Sequence, residues 1–463
     1  MKKGVWSSKP RGIDDLIKRV KDNLVESLYI MRQRTFDAEA CTKLCDVLRD
    51  NAHLTELYAS NHEVGERGLK AFASMLRVNK TLQKICIGTS ESSDAFMRIL
   101  CVGLRENVGL QTLDVTNRNL TEESAKLLGQ VFVENESSRL EELLLSRNKF
   151  GARGVEILFQ TLNRSSAPSK LLELDLSSNE IDDGTLQGGI ELGRYLALKS
   201  CILKTLKLSH NPFVSTSFCL KGLEMNNSLC VLEMKACGVR DQDLLSLFQA
   251  LSSQNTLVEL DLSDNRITSA GTDNLARYLK GEKEKKKVIC SSLRSLCLSG
   301  NAIEDATTLA TSLDVLPCLQ ELDMSRCGVS IESVSSLLDV PNLVDLNLSQ
   351  NEFGNSVCVV VTKWFSSGSA ASSSLRRLHL CNNRMSADGI IPLLKVVQQS
   401  DNILKMLAVG GNRLGAKGRE AVRAAMSARK GDLTIAFDEL DESDDDDDDD
   451  SSCDDSSSDD DEE

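Results

Sequence analysis

The sequence predicts an α/β solenoid: a curved horseshoe with a parallel sheet on its concave face and helices on its convex face. Three observations carry this. A phrase of the form Leu-x-x-Leu-x-Leu-x-x-Asn-x-apolar keeps returning, its copies are spaced by a nearly constant interval, and a helical pattern follows each copy. Alternating leucines put one face of a short strand inward, because strand side chains alternate in direction. A helix is wider than the roughly 4.8 Å between neighbouring strands, so stacked strand-helix units must bend with the strands inside.

The clear copies are LEELLLSRNKF from Leu140, LLELDLSSNEI from Leu171, LKTLKLSHNPF from Leu203, LVELDLSDNRI from Leu257, LRSLCLSGNAI from Leu293, LVDLNLSQNEF from Leu343, LRRLHLCNNRM from Leu375 and LKMLAVGGNRL from Leu404. Two copies carry Cys in the Asn position, LCVLEMKACGV from Leu229 and LQELDMSRCGV from Leu319. Three earlier ones, from Leu54, Leu82 and Leu110, are degenerate, and a weaker copy begins near Val25. The 13 anchors from Leu54 to Leu404 are 24 to 36 residues apart, about 29 on average, so 13 or 14 repeats are expected. The Asn sits where the chain leaves the strand, and its amide can satisfy backbone groups of the turn and of the adjacent repeat. A Cys thiol is a weak donor of similar size, so Cys237 and Cys327 are read as substitutes in the same slot. Helical segments such as GARGVEILFQTL from Gly151 and GAKGREAVRAAM from Gly415 place apolar residues three and four apart, facing the strand layer.

The ends need covers, because a terminal repeat exposes core. Residues 1–24 are read as an N-terminal segment with an amphipathic capping helix over 12–24, and 25–437 as the solenoid with a C-terminal cap. Leu433, Ile435 and Phe437 alternate as a final edge strand would. The longest spacing, from Leu257 to Leu293, includes KGEKEKKK at 280–287. This is expected to protrude as a basic loop, available for docking, nuclear import or as a rest for an acidic tail. Residues 438–463 are that tail, 18 acids with no base, and too polar to order themselves. Ser443, Ser451, Ser452, Ser456, Ser457 and Ser458 each have Asp three residues later, a spacing that suits an acidophilic kinase.

The net charge of −15 therefore belongs to the tail. Residues 1–437 hold 51 acids and 54 bases, which gives no electrostatic case for direct nucleic-acid binding. No apolar run of 18 residues exists to span a membrane, and no apolar stretch follows Lys2 and Lys3 as a signal peptide requires, so a cytoplasmic or nuclear location is expected. The 15 cysteines include no Cys-x-x-Cys and the four histidines are scattered, so neither metal nor cofactor is expected. Most thiols read as small buried apolar groups. Nucleotide loops, dinucleotide fingerprints, nucleophile elbows and His-Glu-x-x-His are all missing, which argues against an active site of its own.

Side chains between the inward leucines should point to the concave face. At the middle position these are Tyr58, Cys86, Asp114, Leu144, Asp175, Lys207, Glu233, Asp261, Cys297, Asp323, Asn347, His379 and Ala408. The flanking position adds Glu56, Lys84, Glu142, Glu173, Glu259, Glu321, Asp345 and Arg377. From 142 to 323 this surface is mainly acidic, while Arg376, Arg377 and Lys405 are expected to make its C-terminal part basic. Partner binding is expected at Asp114, Glu142, Glu173, Asp175, Glu233, Glu259, Asp261, Asp323, Arg377 and His379. Aromatic residues are 4% of the chain, so an aromatic-rich hot spot is not expected.

Phrase and period resemble leucine-rich repeats, and repeats of 28–29 residues with a full helix resemble their ribonuclease-inhibitor-like class, over about residues 25–430. That resemblance implies a non-enzymatic scaffold binding another protein on its concave face, with basic proteins as further partners of the tail. Repeats followed by an acidic tail also resemble the Ran GTPase-activating proteins in layout, which implies binding of the small GTPase Ran and faster GTP hydrolysis. Ile85 to Leu100 does not reproduce the Arg-containing segment of that family, so no catalytic residue is carried over. Tropomodulin and the actin-capping-protein linkers have domains of the same class, which implies a third alternative, an actin-cytoskeleton regulator.

Overall fold

The computed structural model describes residues 12–165, 168–182, 186–212, 220–252, 254–285, 289–367, 373–399, 404–427 and 433–437. Among them one sheet of fifteen parallel strands runs in chain order. The strands are β1 (Ser27–Tyr29), β2 (Glu56–Ser60), β3 (Lys84–Gly88), β4 (Thr112–Asp114), β5 (Glu142–Leu144), β6 (Glu173–Asp175), β7 (Thr205–Lys207), β8 (Val231–Glu233), β9 (Glu259–Asp261), β10 (Ser295–Cys297), β11 (Glu321–Asp323), β12 (Asp345–Asn347), β13 (Arg377–His379), β14 (Met406–Ala408) and β15 (Thr434–Ala436). Thirteen of them follow the thirteen anchors, β1 follows the weak copy near Val25, and β15 closes the sheet.

The second residue of every strand, from Leu28 through Leu143 and Leu260 to Ile435, is at most 5% exposed. Its two neighbours in the strand lie on the opposite face and are mostly half-buried. Burying one such leucine contributes about 2 kcal/mol, so the stack is held mainly by this single file and by the apolar stripe of each helix.

The helices on the other side are α1 (Asp14–Lys21), α2 (Ala38–Leu48), α3 (Gly65–Leu76), α4 (Asp94–Leu104), α5 (Glu122–Glu134), α6 (Gly151–Arg164), α7 (Leu186–Leu196), α8 (Leu220–Met225), α9 (Asp241–Leu251), α10 (Ser269–Glu284), α11 (Thr307–Ala310), α12 (Ile331–Leu338), α13 (Ser356–Ser366), α14 (Ala387–Gln399) and α15 (Gly415–Ser427). Helix α1 turns Leu16 and Val20 into the core and is tied down by Arg34, which pairs with Asp15 at 2.6 Å and donates to the Gly12 carbonyl. The longest spacing holds the sixteen residues of α10, and the shortest, from Leu319, holds the eight of α12. Residues 280–284, expected in a protruding loop, are instead the last turns of α10. Lys and Glu are good helix formers, Lys285 pairs with Glu282 at 2.9 Å, and Lys283 pairs with Asp314 of the next repeat.

Turns are stitched together by an Asn ladder. Asn148 Nδ2 donates to the Val115 carbonyl of the preceding repeat at 3.0 Å, while its Oδ1 accepts from Arg118 N and Leu120 N. The same reach joins Asn179 to Leu145, Asn211 to Leu176, Asn265 to Met234, Asn301 to Leu262, Asn351 to Met324, Asn383 to Leu348 and Asn412 to Leu380. Cys237 and Cys327 fill the slot as expected, each with its thiol 3.2 Å from the corresponding carbonyl oxygen. Burial pushes the Cys237 thiol up to about 12 and the Cys327 thiol up to about 11, so both stay protonated donors at neutral pH.

Two of the three degenerate repeats keep the ladder with other residues. His62 Nε2 donates to the Ile30 carbonyl at 3.0 Å, and Arg118 Nε to that of Ile87 at 2.8 Å. A second ladder, unforeseen from the sequence, runs where the helices end. Asn79 donates to Leu48, Asn107 to Leu76, Asn135 to Leu104 and Asn226 to Leu196. In Asn79 and Asn107 the same side chain accepts from the backbone two and three residues on, which pins the entry to the next strand.

Candidate functional site: the concave sheet face

Strand register sets the surface. One row of side chains runs Ser27, Glu56, Lys84, Thr112, Glu142, Glu173, Thr205, Val231, Glu259, Ser295, Glu321, Asp345, Arg377. The second runs Tyr29, Tyr58, Cys86, Asp114, Leu144, Asp175, Lys207, Glu233, Asp261, Cys297, Asp323, Asn347, His379. Neighbours within a row lie one strand spacing apart, close enough for charges to interact directly. All ten residues expected to bind a partner stand in these two rows, in three separate groups.

The central group surrounds Lys207. Its Nζ lies 2.9 Å from Glu173 and 4.0 Å from Glu233, and register sets it beside Asp175. Asp261 is the strand neighbour of Glu233, and Glu259 stands on the same strand and is exposed. One ammonium thus serves a field of carboxylates. Burial pushes the Glu233 carboxyl above its ordinary range, and Asp261, Asp175 and Glu173 add to this against the opposing effect of Lys207.

The C-terminal group is paired internally. Arg377 Nε donates to Asp345 at 2.5 Å and its Nη2 lies 3.2 Å from Glu321, while His379 Nε2 is 3.0 Å from Asp345. Asn347 donates to Asp323 at 2.9 Å. Burial alone would raise the Asp345 carboxyl, but the bonds from His379 and Arg377 outweigh it and hold it below the ordinary range. Of the three residues expected to make this part basic, Lys405 is exposed and the two arginines are engaged within the chain. Arg377 is held by two acids, and Arg376, outside the strand, donates to the Ser373 and Leu375 carbonyls.

The N-terminal group contains Asp114 and Glu142. Asp114 accepts from the Cys86 thiol at 3.0 Å, and Glu142 accepts from Thr112 Oγ1 at 2.8 Å. Beside them the rings of Tyr29 and Tyr58 stack with centroids 4.5 Å apart and planes 3° from parallel. Sequence reasoning missed this pair. Tyr29 belongs to the copy near Val25, whose weak phrase hid the strand, and parallel register sets it directly beside Tyr58.

Part of the acidity is structural. Asp114, Asp175, Asp261 and Asp323 each accept from the backbone N–H two residues on, at 2.8–3.0 Å. Such a bond steadies the strand exit, which explains why Asp recurs at the middle position. Glu142, Glu173, Glu233, Glu259 and Glu321 have no such local bond to explain them. The candidate phosphorylation serines Ser443, Ser451, Ser452, Ser456, Ser457 and Ser458 lie outside the described residues. Among the described residues no cluster of three or more His, Cys, Asp or Glu could hold a metal ion, and no helix is long and apolar enough to cross a membrane. A cavity of about 500 Å3 lies between the turns after β2 and β3 and the first turns of α3 and α4, lined by Val64, Gly88, Ser92, Phe96 and Arg98 among others, and none of the ten expected residues borders it.

Comparison with known proteins agrees with this architecture. A family profile described as Leucine Rich repeat matches residues 167–186 and 253–276. The chain is 27% identical over 408 residues to the ribonuclease inhibitor of Sus scrofa, covering 80% of this chain and 86% of that one. It is 25% identical over 397 residues to the ribonuclease inhibitor of Mus musculus, covering 73% and 85%. It is also 24% identical over 371 residues to NACHT, LRR and PYD domains-containing protein 5 of Mus musculus, but there it spans only 30% of the relative's length. With the parallel sheet in chain order, the Asn ladder and helix-bearing repeats of about 29 residues, the chain is a leucine-rich-repeat horseshoe similar to the ribonuclease inhibitors.

Proposed function

We propose that the chain is a non-enzymatic protein-binding scaffold that receives a basic partner protein on its concave face. One observation carries this reading. Over the seven strands β5 to β11 the fourteen outward strand positions hold eight carboxylates (Glu142, Glu173, Asp175, Glu233, Glu259, Asp261, Glu321 and Asp323) against the single base Lys207. A concave surface of one sign focuses its field and accelerates encounter with an oppositely charged protein. A sheet fixed by its ladders is already shaped for the partner and loses little freedom on binding. Burial does most to raise the Glu233 carboxyl, and an incoming ammonium or guanidinium group would offset the smaller part that comes from Asp261, Asp175 and Glu173.

Two relatives carry the name ribonuclease inhibitor, so ribonuclease A is a suitable basic probe. The test compares the full chain with the triple variant Glu173→Gln, Glu233→Gln, Asp261→Asn, in titrations with ribonuclease A and in capture of basic proteins from cell extract. Binding should weaken at least about tenfold in the variant and fall with salt. An unchanged set of captured proteins would move the interface off this face, and accelerated GTP hydrolysis by purified Ran would replace the scaffold reading with GTPase activation.

A further inference from the structure

The N-terminal end of the concave face carries a site that the acidic rows do not explain. Tyr29 stands on β1, which among the described residues pairs only with β2, so one face of its ring is stacked on Tyr58 and no described strand lies beyond the other. The residue is 54% exposed, an unusual state for a tyrosine already stacked on a neighbour. On the far side of Tyr58 the Lys84 ammonium lies 5.9 Å from the ring centroid. Glu56 stands at the edge of the stack, its carboxylate accepting from Ser27 Oγ at 2.9 Å and from the Tyr58 hydroxyl at 3.3 Å. Met31, two residues after Tyr29 and just past the end of β1, is 62% exposed.

We propose that this stack is an anchor for an arginine side chain of the partner, a claim that rests on the concave face being the binding surface. A flat open π face, a carboxylate at its rim and an apolar methionine beside it match the three parts of arginine. The planar guanidinium stacks on Tyr29, its fork of N–H groups reaches Glu56, and its methylene stem lies along Met31. A lysine ammonium is a compact point charge with no plane to lay on the ring. A nucleic acid would also offer flat groups, but its phosphates would meet Glu56, Asp114 and Glu142, with only Lys84 in the same strands to balance them. Charge complementarity therefore selects a cation, and ring geometry selects arginine among cations. The acidic rows that begin at Glu142 continue from this anchor along the sheet, so one basic partner can engage both.

The chain has four tyrosines, Tyr29, Tyr58, Tyr195 and Tyr278, and none in the acidic tail. Fluorine NMR of the full chain carrying 3-fluorotyrosine therefore reads the site without interference from peptide held by the tail. Signals are assigned by single Tyr→Phe variants and followed during titration with capped hexa-arginine, hexa-lysine and a uridine hexanucleotide. Hexa-arginine should move the Tyr29 and Tyr58 signals and leave buried Tyr195 unmoved, and hexa-lysine should act roughly three- to fivefold more weakly. Equal action by hexa-lysine, a larger response to the oligonucleotide, or still signals would each overturn the proposal. Replacement of Tyr29 by Leu should abolish the arginine preference at Tyr58 while leaving the unfolding midpoint nearly unchanged. The outcomes also separate the two readings. Failure of the Glu173, Glu233 and Asp261 variant to alter capture, with Tyr29 still answering hexa-arginine, removes the acidic rows alone. Silence at Tyr29 with charge-dependent capture intact removes the anchor alone.

Discussion

Arg118 Nε donates to the Ile87 carbonyl at 2.8 Å, taking in its repeat the place that an asparagine amide takes in eight others. It is 4% exposed, and its guanidinium also reaches Asn117 O and, two repeats back, Ser60 Oγ. The repeat between them has Ser90 in the ladder slot, exposed to solvent, and turns at Gly88 with φ +96°. One long side chain thus bridges a gap that the shorter ladder residues could not span. Arg118→Ala should lower stability by about 2–4 kcal/mol, through a lost bond, an unsatisfied carbonyl and a cavity. Arg118→Asn should recover part of this, because an amide reaches the nearest carbonyl but not Ser60. Urea midpoints for the two variants decide the matter, and equal losses would deny Arg118 a ladder role.

Asn265 makes the full set of ladder bonds. It donates to Met234 and Leu262 and accepts from Cys237 N and Val239 N, all at 2.8–3.0 Å. Asn265→Ala should cost about 1–3 kcal/mol. Asn265→Cys should cost less, since the thiols of Cys237 and Cys327 already make the cross-repeat bond elsewhere. Thermal unfolding ranks the two variants, and alanine matching cysteine would refute thiol equivalence.

Glu233 binds its proton more tightly in the folded chain than an ordinary glutamate, so its ionisation opposes folding above the ordinary carboxylate range. The sign is that of a raised carboxyl. The folded state holds the extra proton between the ordinary and raised values, and stability falls as pH climbs through that window. Glu233→Gln should therefore raise the melting temperature at pH 7 by about 1–2 °C while weakening capture of basic proteins. A stabilised variant with undiminished binding would take Glu233 out of the interface.

Asp345 behaves oppositely. Its carboxyl is held below the ordinary value of about 3.9, so the stabilisation from Arg377 and His379 is complete above that value and disappears as pH falls through the lowered one. Asp345→Asn should cost about 1–2 kcal/mol at neutral pH, and the gap from wild type should close in strong acid. A pH series of denaturant midpoints reads this directly, and a constant gap would show that charge is not the origin.

The strands were legible because their leucines obey a rigid geometric demand: each must fill the same interior position, so the same residue type returns. Anchors at Leu140, Leu257 and Leu343 lead to strands at Glu142, Glu259 and Asp345. The ladder was legible only where Asn or Cys fills it. His62 and Arg118 meet the same need with different chemistry, and a pattern of residue types cannot show that a guanidinium stands in for an amide. The helix-end ladder was hidden for a simpler reason. Asn79, Asn107 and Asn226 stand three residues before their anchors, in loops where Asn is common for local reasons. The acidic rows were visible from alternation, whereas the neutralisation of Arg377 was not, because it depends on which residues meet across strands, 32 positions away for Asp345 and 56 for Glu321.

Strand order equals chain order throughout the sheet, so each coil packs on the coil before it and the coil after it, and single side chains such as Arg118 and Arg377 reach one coil further. Tension applied between the two ends would find no distant clamp to break first. The arc would open like a watch spring and then peel coil by coil, giving a train of small force peaks in place of one large rupture.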